Sequence, residues 1–500
     1  MAGRNDSDNI APPSSFFYDF NKKMDNFITA MSTKSAETLN GAITNITTLN
    51  SCLDLFALIG ERKDYSDTFW AAFGENPDIA LKILFWSRDC RGGAGSRKTF
   101  IEVMKTMQST HPDVFKKLFK YIPEFGYWKD LYQFQPDDDI VSFIADELKY
   151  NQSEFSLCAK YAPRQGYWAS LLRKKLGMEQ KDYRKYLVEH STTVEQKMCA
   201  NDWENIDYST VPSVAGSRYV RQFMKHDYKR YKEYLDKVNT GEAKINASVL
   251  TPPELLSQFV NINYLYYRDM HDSGWGITNP DALRAYWNNL PDYMEGCTER
   301  ILPVVDISGS MQAGYGNVIP LWVSVGLGLY ISQHNQGPFH NCLISFSDEP
   351  LFYHFKGEDI LDRLHQFSNV NMGFNTDLQK TFTVLLKQAM VHNLKQEDMP
   401  TKIIIISDME FDEATCNTDT NLEAIDKLYR KNGYKRPGII FWNVNGRQGN
   451  FPTTKEDKNT ALVSGYSPAI LKSLLKGIVL TPLVIMLDVV DTERYQDIHI

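Results

Sequence analysis

The sequence lacks the features of secreted, membrane-spanning and zinc-binding proteins. Its seven cysteines are scattered, odd in number and form no Cys-x-x-Cys pair, which argues against a disulfide framework or a zinc site. Residues 1–14 are polar and lack the apolar core of a signal peptide. No apolar run approaches membrane-spanning length. We therefore expect a soluble cytoplasmic protein without a membrane segment, and a viral source would also be compatible with a place in the virion.

The chain also lacks an excess of positive charge. It carries a formal net charge of −8 over 500 residues, which excludes a protein that is basic throughout. Residues 160–237 are an exception, because they hold 16 Lys and Arg against 10 Asp and Glu, a local net of +6. The hydrophobic content of 43% is enough for a large core, divided among two to four domains.

The first half has the apolar spacing of helices. After a predicted disordered head at residues 1–14, apolar residues recur every three or four positions, first at residues 16–31 and then in similar stretches to residue 297. The connections are short and carry Gly, Pro, Asn or Asp, which suits antiparallel helix neighbours. Residues 15–297 are therefore predicted to form a helical array.

One internal repeat supports an array. Residues 123–131 and 163–171 share Pro, Gly, Tyr, Trp and Leu at an offset of 40 residues. That offset is close to the period of HEAT-type helical pairs, in which each unit buries its apolar face against the next. Two copies favour such an array over a compact bundle without proving it. We expect the Tyr-Trp pairs to serve core packing rather than base stacking.

A glycine-rich loop at residues 91–99 comes close to a phosphate-binding P-loop. Arg97 stands where the pattern requires its last glycine, and residues 79–89 before it have helical rather than strand spacing. The loop is therefore predicted to be a flexible connector with a basic tip, which could contact a nucleic-acid phosphate.

The basic segment favours an RNA-binding face, with solvated helix surfaces as the alternative. Basic residues interleaved with tyrosines suit RNA, which is held by phosphate contacts and stacking. The candidate RNA-binding residues are Arg173, Lys174, Lys175, Arg184, Lys185, Arg221, Lys225, Lys229 and Arg230. The interleaved tyrosines are Tyr183, Tyr186, Tyr219, Tyr228, Tyr231 and Tyr234.

From residue 298 to residue 500 the pattern changes to alternating strands and helices. Strands are predicted at 302–306, 341–346, 351–355, 402–407 and 438–444, with helices between and after them. Such alternation predicts a mostly parallel, doubly wound (Rossmann-like) sheet covered by helices on both faces. The predicted fold class is thus α + α/β, a helical array followed by an α/β domain.

Polar side chains collect at the predicted carboxyl ends of these strands. Asp306, Ser308 and Ser310 follow the first strand, Thr376 precedes a helix, and Asp408 ends the strand at 402–407. Two carboxylates brought so close would repel unless a cation lay between them, and hard oxygen ligands suit Mg²⁺ or Mn²⁺. The simpler alternative is a polar strand-to-helix turn.

These five residues resemble the metal-ion-dependent adhesion site of von Willebrand factor A domains. The resemblance implies that the serines and the threonine contact the metal, and that an open position accepts an acidic side chain of a protein ligand. Met409 stands where many A domains have glycine, and Glu410, Asp412 and Glu413 would make the rim acidic.

The order of the two halves resembles the TROVE architecture of the Ro autoantigen family, in which a ring of HEAT-like helices binds structured RNAs and RNA ends. Residues 197–203, 211–215 and 244–248 resemble more closely an uncharacterised family with plant and giant-virus members. That closer resemblance covers most of residues 50–500 and implies the fold rather than an activity.

Three functions are open from the sequence. The first is a monomeric, non-enzymatic scaffold that binds RNA through the array and a ligand through the metal site. The second is a protein–protein adaptor that uses the metal site alone. The third is an enzyme, such as a Mg²⁺-dependent phosphotransferase or nuclease. We expect no enzyme, because the ten histidines are dispersed and no general base or nucleophile is evident beside the metal.

Overall fold

The computed structural model describes residues 35–59, 64–151, 156–261, 276–312, 318–346, 350–367, 377–412, 421–445, 449–474 and 480–500. The predicted disordered head at residues 1–14 and the predicted helix at residues 16–31 lie outside these ranges. Within the described ranges, no helix combines the length and the apolar character needed to cross a membrane.

The first half is built from short helices joined by short loops. The helices are α1 (Ser51–Leu58), α2 (Ser66–Glu75), α3 (Pro77–Arg88), α4 (Lys98–Thr110), α5 (Pro112–Leu118), α6 (Ile122–Phe125), α7 (Trp128–Leu131), α8 (Asp138–Tyr150), α9 (Leu157–Tyr161), α10 (Tyr167–Lys175), α11 (Gln180–Glu189), α12 (Val194–Cys199), α13 (Ser213–Arg218), α14 (Val220–His226), α15 (Tyr228–Asn239), α16 (Pro252–Phe259) and α17 (Pro280–Asn288).

Local sequence explains where these helices start. Asn76 caps α3 by accepting a hydrogen bond from the Ile79 amide, and Pro77 occupies the first position, where no amide is needed. In α16, Thr251 and Glu254 form a capping box around two prolines. Each helix then turns an apolar stripe inward, and these stripes share one continuous core.

The two copies of the internal repeat use their tryptophans for packing. Trp128 stacks on Phe143 with ring centroids 5.6 Å apart, and Trp168 packs edge-on against Tyr132 at 5.3 Å. Tyr167 of the second copy, by contrast, is 69% exposed. The expectation of core packing therefore holds for the tryptophans and fails for this tyrosine.

The second half contains a six-stranded sheet. The strands of the chain are β1 (Ser35–Glu37), β2 (Ile43–Asn45), β3 (Val260–Asn261), β4 (Gly276–Ile277), β5 (Ile301–Asp306), β6 (Cys342–Phe346), β7 (Leu351–His354), β8 (Lys402–Ser407), β9 (Gly438–Asn443) and β10 (Thr460–Ser464). The sheet order is β10-β9-β8-β5-β6-β7, parallel except for β7 at one edge, while β1/β2 and β3/β4 form two separate small sheets.

The α/β part of the predicted fold is confirmed, with one strand missed. β10 has only three apolar residues between a threonine and a serine, which is too short to differ from a loop by pattern. Its strand geometry comes from pairing with β9.

Helices cover both faces of the sheet. The helices of this half are α18 (Pro320–His334), α19 (Ile360–Phe367), α20 (Leu378–Val391), α21 (Asn421–Lys431), α22 (Leu471–Leu474) and α23 (Pro482–Val490). On one face α18 packs across β5 and β8, and Gly328 permits this because a Cβ there would lie 2.2 Å from Val305 Cγ2. On the other face, α20 and α21 close a second core.

Each end of the chain packs against the opposite half of the protein. Near the N-terminus, the last turn of α1 lies on the sheet, where its Phe56 and Ala57 carbonyls accept hydrogen bonds from Ser464 Oγ (2.7 Å) and Asn443 Nδ2 (3.0 Å). The C-terminal residues return to the helical half, where Lys82 pairs with Asp491. Contacts therefore cross the predicted boundary between residues 297 and 298 in both directions.

Asp89 anchors the returning C-terminus. It is fully buried and accepts hydrogen bonds from Arg494 Nε (2.5 Å), Arg494 Nη2 (2.9 Å) and the Tyr495 hydroxyl (3.0 Å). It also accepts the amides of Arg91 (2.9 Å) and Gly92 (3.2 Å) in the glycine-rich loop. The same carboxylate thus holds the loop and the tail.

The glycine-rich loop is packed rather than a free basic tip, which corrects the prediction of a flexible connector. A Cβ on Gly93 would lie 2.0 Å from the Trp86 carbonyl oxygen, so only glycine fits there. Arg91 donates to the Glu124 carbonyl (2.5 Å), and Arg97 Nε donates to Asp130 Oδ1 (2.6 Å). Both arginines therefore bind within the protein.

We predict that Arg494→Met destabilises the protein, because it leaves the buried carboxylate of Asp89 without its cation. The expected loss in the free energy of unfolding is about 2 kcal/mol. This is less than the loss for a fully buried ion pair, because Arg494 is partly exposed to solvent. Urea unfolding of this variant beside Lys458→Met, which removes an exposed charge from the same half, measures it. Equal midpoints for the two variants would contradict the anchoring role.

Candidate metal centre

The register of two neighbouring strands brings the predicted carboxylates together. β5 and β8 are adjacent and parallel, with Val305 opposite Ile406, so both chains leave the sheet at the same edge. Asp306 ends β5, and Asp408 is the second residue past Ile406. Ser407 Oγ donates a hydrogen bond of 2.6 Å to Asp306 Oδ2 and links the two strand ends.

The loop after β5 folds back on its own aspartate. Asp306 Oδ1 accepts the Ser308 amide at 2.9 Å, and the hydroxyls of Ser308 and Ser310 lie 3.1 Å apart. Ser308 is buried, whereas Ser310 is exposed. In the predicted Asp-x-Ser-x-Ser motif, Asp306 and Ser308 are therefore buried at the strand edge, and Ser310 lies at the protein surface.

Both carboxylates are buried, which makes their charges costly. Asp306 is 0% exposed and Asp408 is 2% exposed. Burial, and then the negative charge of Asp408, raise the pKa of Asp306 to about 7, although hydrogen bonds from Ser407 and Ser308 lower it. A cation at this edge would relieve the repulsion and let both groups stay ionised at neutral pH.

The donor set fits the predicted Mg²⁺ or Mn²⁺. Carboxylate and hydroxyl oxygens are the hard ligands that these ions take, and the ions retain several waters. Asp306, Ser308, Ser310 and Asp408 lie in the described residues, while Thr376 lies outside them. In the ranges that the structure describes, His, Cys, Asp and Glu do not gather in groups of three or more that could hold a metal ion, and this edge contributes two carboxylates.

Ser407 is a site residue that sequence reasoning missed. Its hydroxyl donates to Asp306 and accepts the Met409 amide at 3.1 Å. The signal was present, because Ser407 is the last residue of β8 and precedes Asp408. Recognising it required the pairing of β5 with β8, which the sequence pattern does not specify.

Met409 follows the site with a left-handed backbone. Its φ is +65°, a conformation that costs a non-glycine residue about 1 kcal/mol. The side chain is fully buried in the core formed with α20 and α21, which compensates for the strain. This packing explains why methionine is tolerated where the resemblance leads one to expect glycine.

The acidic rim was predicted wrongly for Glu410. Its carboxylate is buried and accepts the Leu39 amide (2.7 Å) and Asn450 Nδ2 (3.2 Å). Thr38 Oγ1 also donates to the Phe411 carbonyl at 2.6 Å. The segment between β1 and β2 thus covers the loop after β8, while Glu413 lies outside the described residues.

The nine predicted RNA-binding residues fall on two pairs of helices and are not equally available. Arg173, Lys174 and Lys175 end α10, and Arg184 and Lys185 lie on α11; Arg221 and Lys225 lie on α14, and Lys229 and Arg230 on α15. Arg230 is held internally, since it donates to Asp227 and to the carbonyls of Trp203 and Ile206. Lys175 pairs with Asp138 at 2.9 Å.

The predicted interleaving of tyrosines with this charge is wrong for two of the six tyrosines. Tyr183 and Tyr231 are buried in the core, where their rings cannot stack on a base. Tyr228, in contrast, is 59% exposed. The helical period that placed these tyrosines beside lysines in the sequence turns Tyr183 and Tyr231 to the inner face of their helices, while Tyr186, Tyr219 and Tyr234 are half-buried.

Comparison with known proteins identifies families of unknown function. Residues 38–136 and 139–294, just over half of the chain, match the domain of unknown function DUF2828, and residues 300–493 match the domain of unknown function DUF7788. The uncharacterized protein L728 of Acanthamoeba polyphaga mimivirus is 26% identical over 513 residues, which cover 91% of this chain and 87% of that protein. This relative confirms the predicted similarity to an uncharacterised family with giant-virus members.

Among solved structures, the crystal structure of the Deinococcus radiodurans RO (RSR) protein is similar with a TM-score of 0.48 and 13% sequence identity. The match covers 88% of this chain and 100% of that chain. A TM-score below 0.5 is too low to establish a shared fold.

We predict that the metal-free protein loses stability as the pH rises from about 4 to about 7, because native Asp306 keeps a proton that the unfolded chain releases. Asp408→Asn removes one cause of the raised pKa and should flatten this dependence. It should also stabilise the metal-free protein at pH 8 by about 1 kcal/mol. Denaturant unfolding in chelator from pH 4 to pH 8 measures both effects, and parallel profiles for the two proteins would contradict the coupling of the two carboxylates.

Proposed function

The chain belongs to the DUF2828 family, and we propose that it is a non-enzymatic binding scaffold. In this proposal the α/β half is a von Willebrand factor A-like domain that holds Mg²⁺ or Mn²⁺ at the ends of β5 and β8. The helical half is a HEAT-like array that binds RNA. The observation that carries the proposal is the pair of buried carboxylates, Asp306 and Asp408, on adjacent strands.

The arrangement of donors supports a cation with an open position. Asp306, Ser308 and Asp408 are buried, so they would hold the ion from the protein side. Ser310 is exposed, so its hydroxyl lies between the buried donors and the solvent. When bound, the cation would supply a Lewis-acidic position that accepts a carboxylate oxygen of a protein ligand.

Binding rather than catalysis is proposed because the groups that surround Asp306 are already engaged. Ser407 donates its hydroxyl to this carboxylate but is fully buried, so it cannot reach a substrate, and Ser308 donates to it through the backbone amide. A Mg²⁺-dependent phosphoryl-transfer enzyme is the alternative. Turnover of a phosphate ester by the purified protein, lost on Asp408→Ala, would replace the scaffold with an enzyme.

RNA binding is supported by the exposed part of the basic segment. Lys174, Lys185, Arg221, Lys225 and Lys229 are all exposed. Among the residues that the structure describes, Lys185 pairs with Glu189 on the surface at 3.6 Å. Such pairs contribute about 0.3–0.5 kcal/mol, so a phosphate could displace Glu189. The protein–protein adaptor, which would use the cation site alone, predicts no effect of these residues.

We predict that Mg²⁺ raises the melting temperature of the wild-type protein and not that of Asp306→Ala. At a concentration 100 times the dissociation constant, one bound ion adds about 2.7 kcal/mol to the free energy of unfolding. Calorimetric melting with and without chelator measures the shift. Asp362→Asn, which removes an exposed carboxylate from α19, is the matched control and should respond like the wild type. An equal response of Asp306→Ala would exclude the site.

We also predict that RNA binding weakens with salt and with charge reversal on the array. Lys174→Glu and Lys225→Glu should each weaken filter binding of structured or single-stranded RNA severalfold, because each contact releases about one counterion. Lys387→Glu reverses an exposed lysine on α20 and serves as the control. Affinity that is independent of salt and unchanged in both array variants would favour the adaptor.

A further inference from the structure

The first copy of the internal repeat contributes to a second cluster of charge, which contains none of the nine predicted RNA-binding residues, although Arg218 lies three residues before Arg221. Tyr127 and Lys129 flank the start of α7, Lys160 and Tyr161 end α9, and Arg218 ends α13. We call these five residues the lysine–tyrosine cluster. It joins three parts of the array that are far apart in sequence, and Arg218 belongs to it because its neighbour Tyr219 donates to Glu195, the partner of Lys160.

The rings of this cluster hold the ammonium groups in place. Lys129 Nζ lies 5.0 Å from the centre of the Tyr127 ring and 5.8 Å from that of Tyr161. Lys160 Nζ lies 5.7 Å from the Tyr161 ring, and the two ring centres are 6.0 Å apart. Since the ammonium groups already lie over the rings, the cluster offers charge rather than a free stacking surface.

The carboxylates next to the cluster are already paired. Asp130 accepts Arg88 Nη2 at 2.5 Å and Arg97 Nε at 2.6 Å. Glu195 accepts Lys160 Nζ at 3.3 Å and the Tyr219 hydroxyl at 3.4 Å. Both acids are therefore occupied by neighbours within the array.

Positive charge remains in excess. Five cationic side chains surround these two carboxylates, which leaves a local net of +3. In the part of the chain that the structure describes, neither Lys129 nor Arg218 forms an ion pair with a carboxylate, and both side chains are exposed. Partial burial and the charges of Arg97, Arg88 and Arg218 lower the pKa of Lys129, although Asp130 opposes this.

We propose that Lys129 and Arg218 bind a phosphate monoester, either the terminal phosphate of an RNA or the phosphate of a free nucleotide. A monoester carries about −1.5 to −2 charges at neutral pH, which matches the excess charge better than the single charge of an internal phosphodiester. Lys160 and Arg218 belong to the segment of net charge +6, which favours a nucleotide as the source. The inference deepens the proposed RNA binding and rests on it.

The test compares a 5′-phosphorylated single-stranded RNA with the same RNA ending in a 5′-hydroxyl. Lys129→Gln and Arg218→Gln should each weaken binding of the phosphorylated RNA roughly 10- to 100-fold, to the level of the hydroxyl form. Lys117→Gln removes an exposed lysine from α5 and should leave the affinity unchanged. Melting temperatures of the three variants establish that each is folded.

Competition with adenosine monophosphate and with inorganic phosphate distinguishes the two sources. Displacement of the RNA by the mononucleotide supports a free nucleotide, and resistance to it supports an RNA end. RNA binding that does not depend on the 5′-phosphate or on Lys129 and Arg218 would overturn this inference while leaving RNA binding intact. Preference for a phosphopeptide over both nucleotide ligands would overturn it as well. The cation site is tested separately by Asp306→Ala.

Discussion

Two carboxylates at the ends of neighbouring parallel strands are the constraint on which the α/β half depends. Parallel pairing of β5 with β8 fixes Asp306 and Asp408 at one edge, where both side chains are buried. The hydroxyl of Ser407 and the amide of Ser308 donate to Asp306 and support its ionised form, while burial opposes it. Two nearby buried anions repel each other, so Asp306 keeps its proton to a higher pH in the metal-free protein, and the proposed cation would instead let both groups ionise.

Each half of the chain is held in place by a segment from the other half. The segment from β1 to α1 covers the loop after β8 and the end of β10, and the C-terminal residues are fixed to the helical half through Asp89. A ligand that moved the loop after β8 would therefore also displace the segment from β1 to α1, which contacts this loop.

Sequence patterns predicted the parts of the fold that local physics determines. The strand Lys402–Ser407 matches its predicted limits, because a continuous apolar run is a local signal. β10, the buried state of Glu410 and the hydrogen bond from Ser407 were missed, since each depends on a partner far along the chain. Charge counting likewise found the basic segment but could not show that Arg230 is engaged internally or that Tyr183 and Tyr231 face the core.

The central claim is that a divalent cation lies at the ends of β5 and β8. Anomalous diffraction from crystals grown with Mn²⁺ tests it most directly, because Mn²⁺ takes the same oxygen ligands as Mg²⁺ and scatters anomalously. We expect one strong anomalous peak that contacts Asp306 and Ser308 and lies next to Asp408. We expect this peak to be absent from crystals of Asp306→Ala. A well-ordered strand edge without such a peak, at a Mn²⁺ concentration that saturates any binding seen in solution, would contradict it.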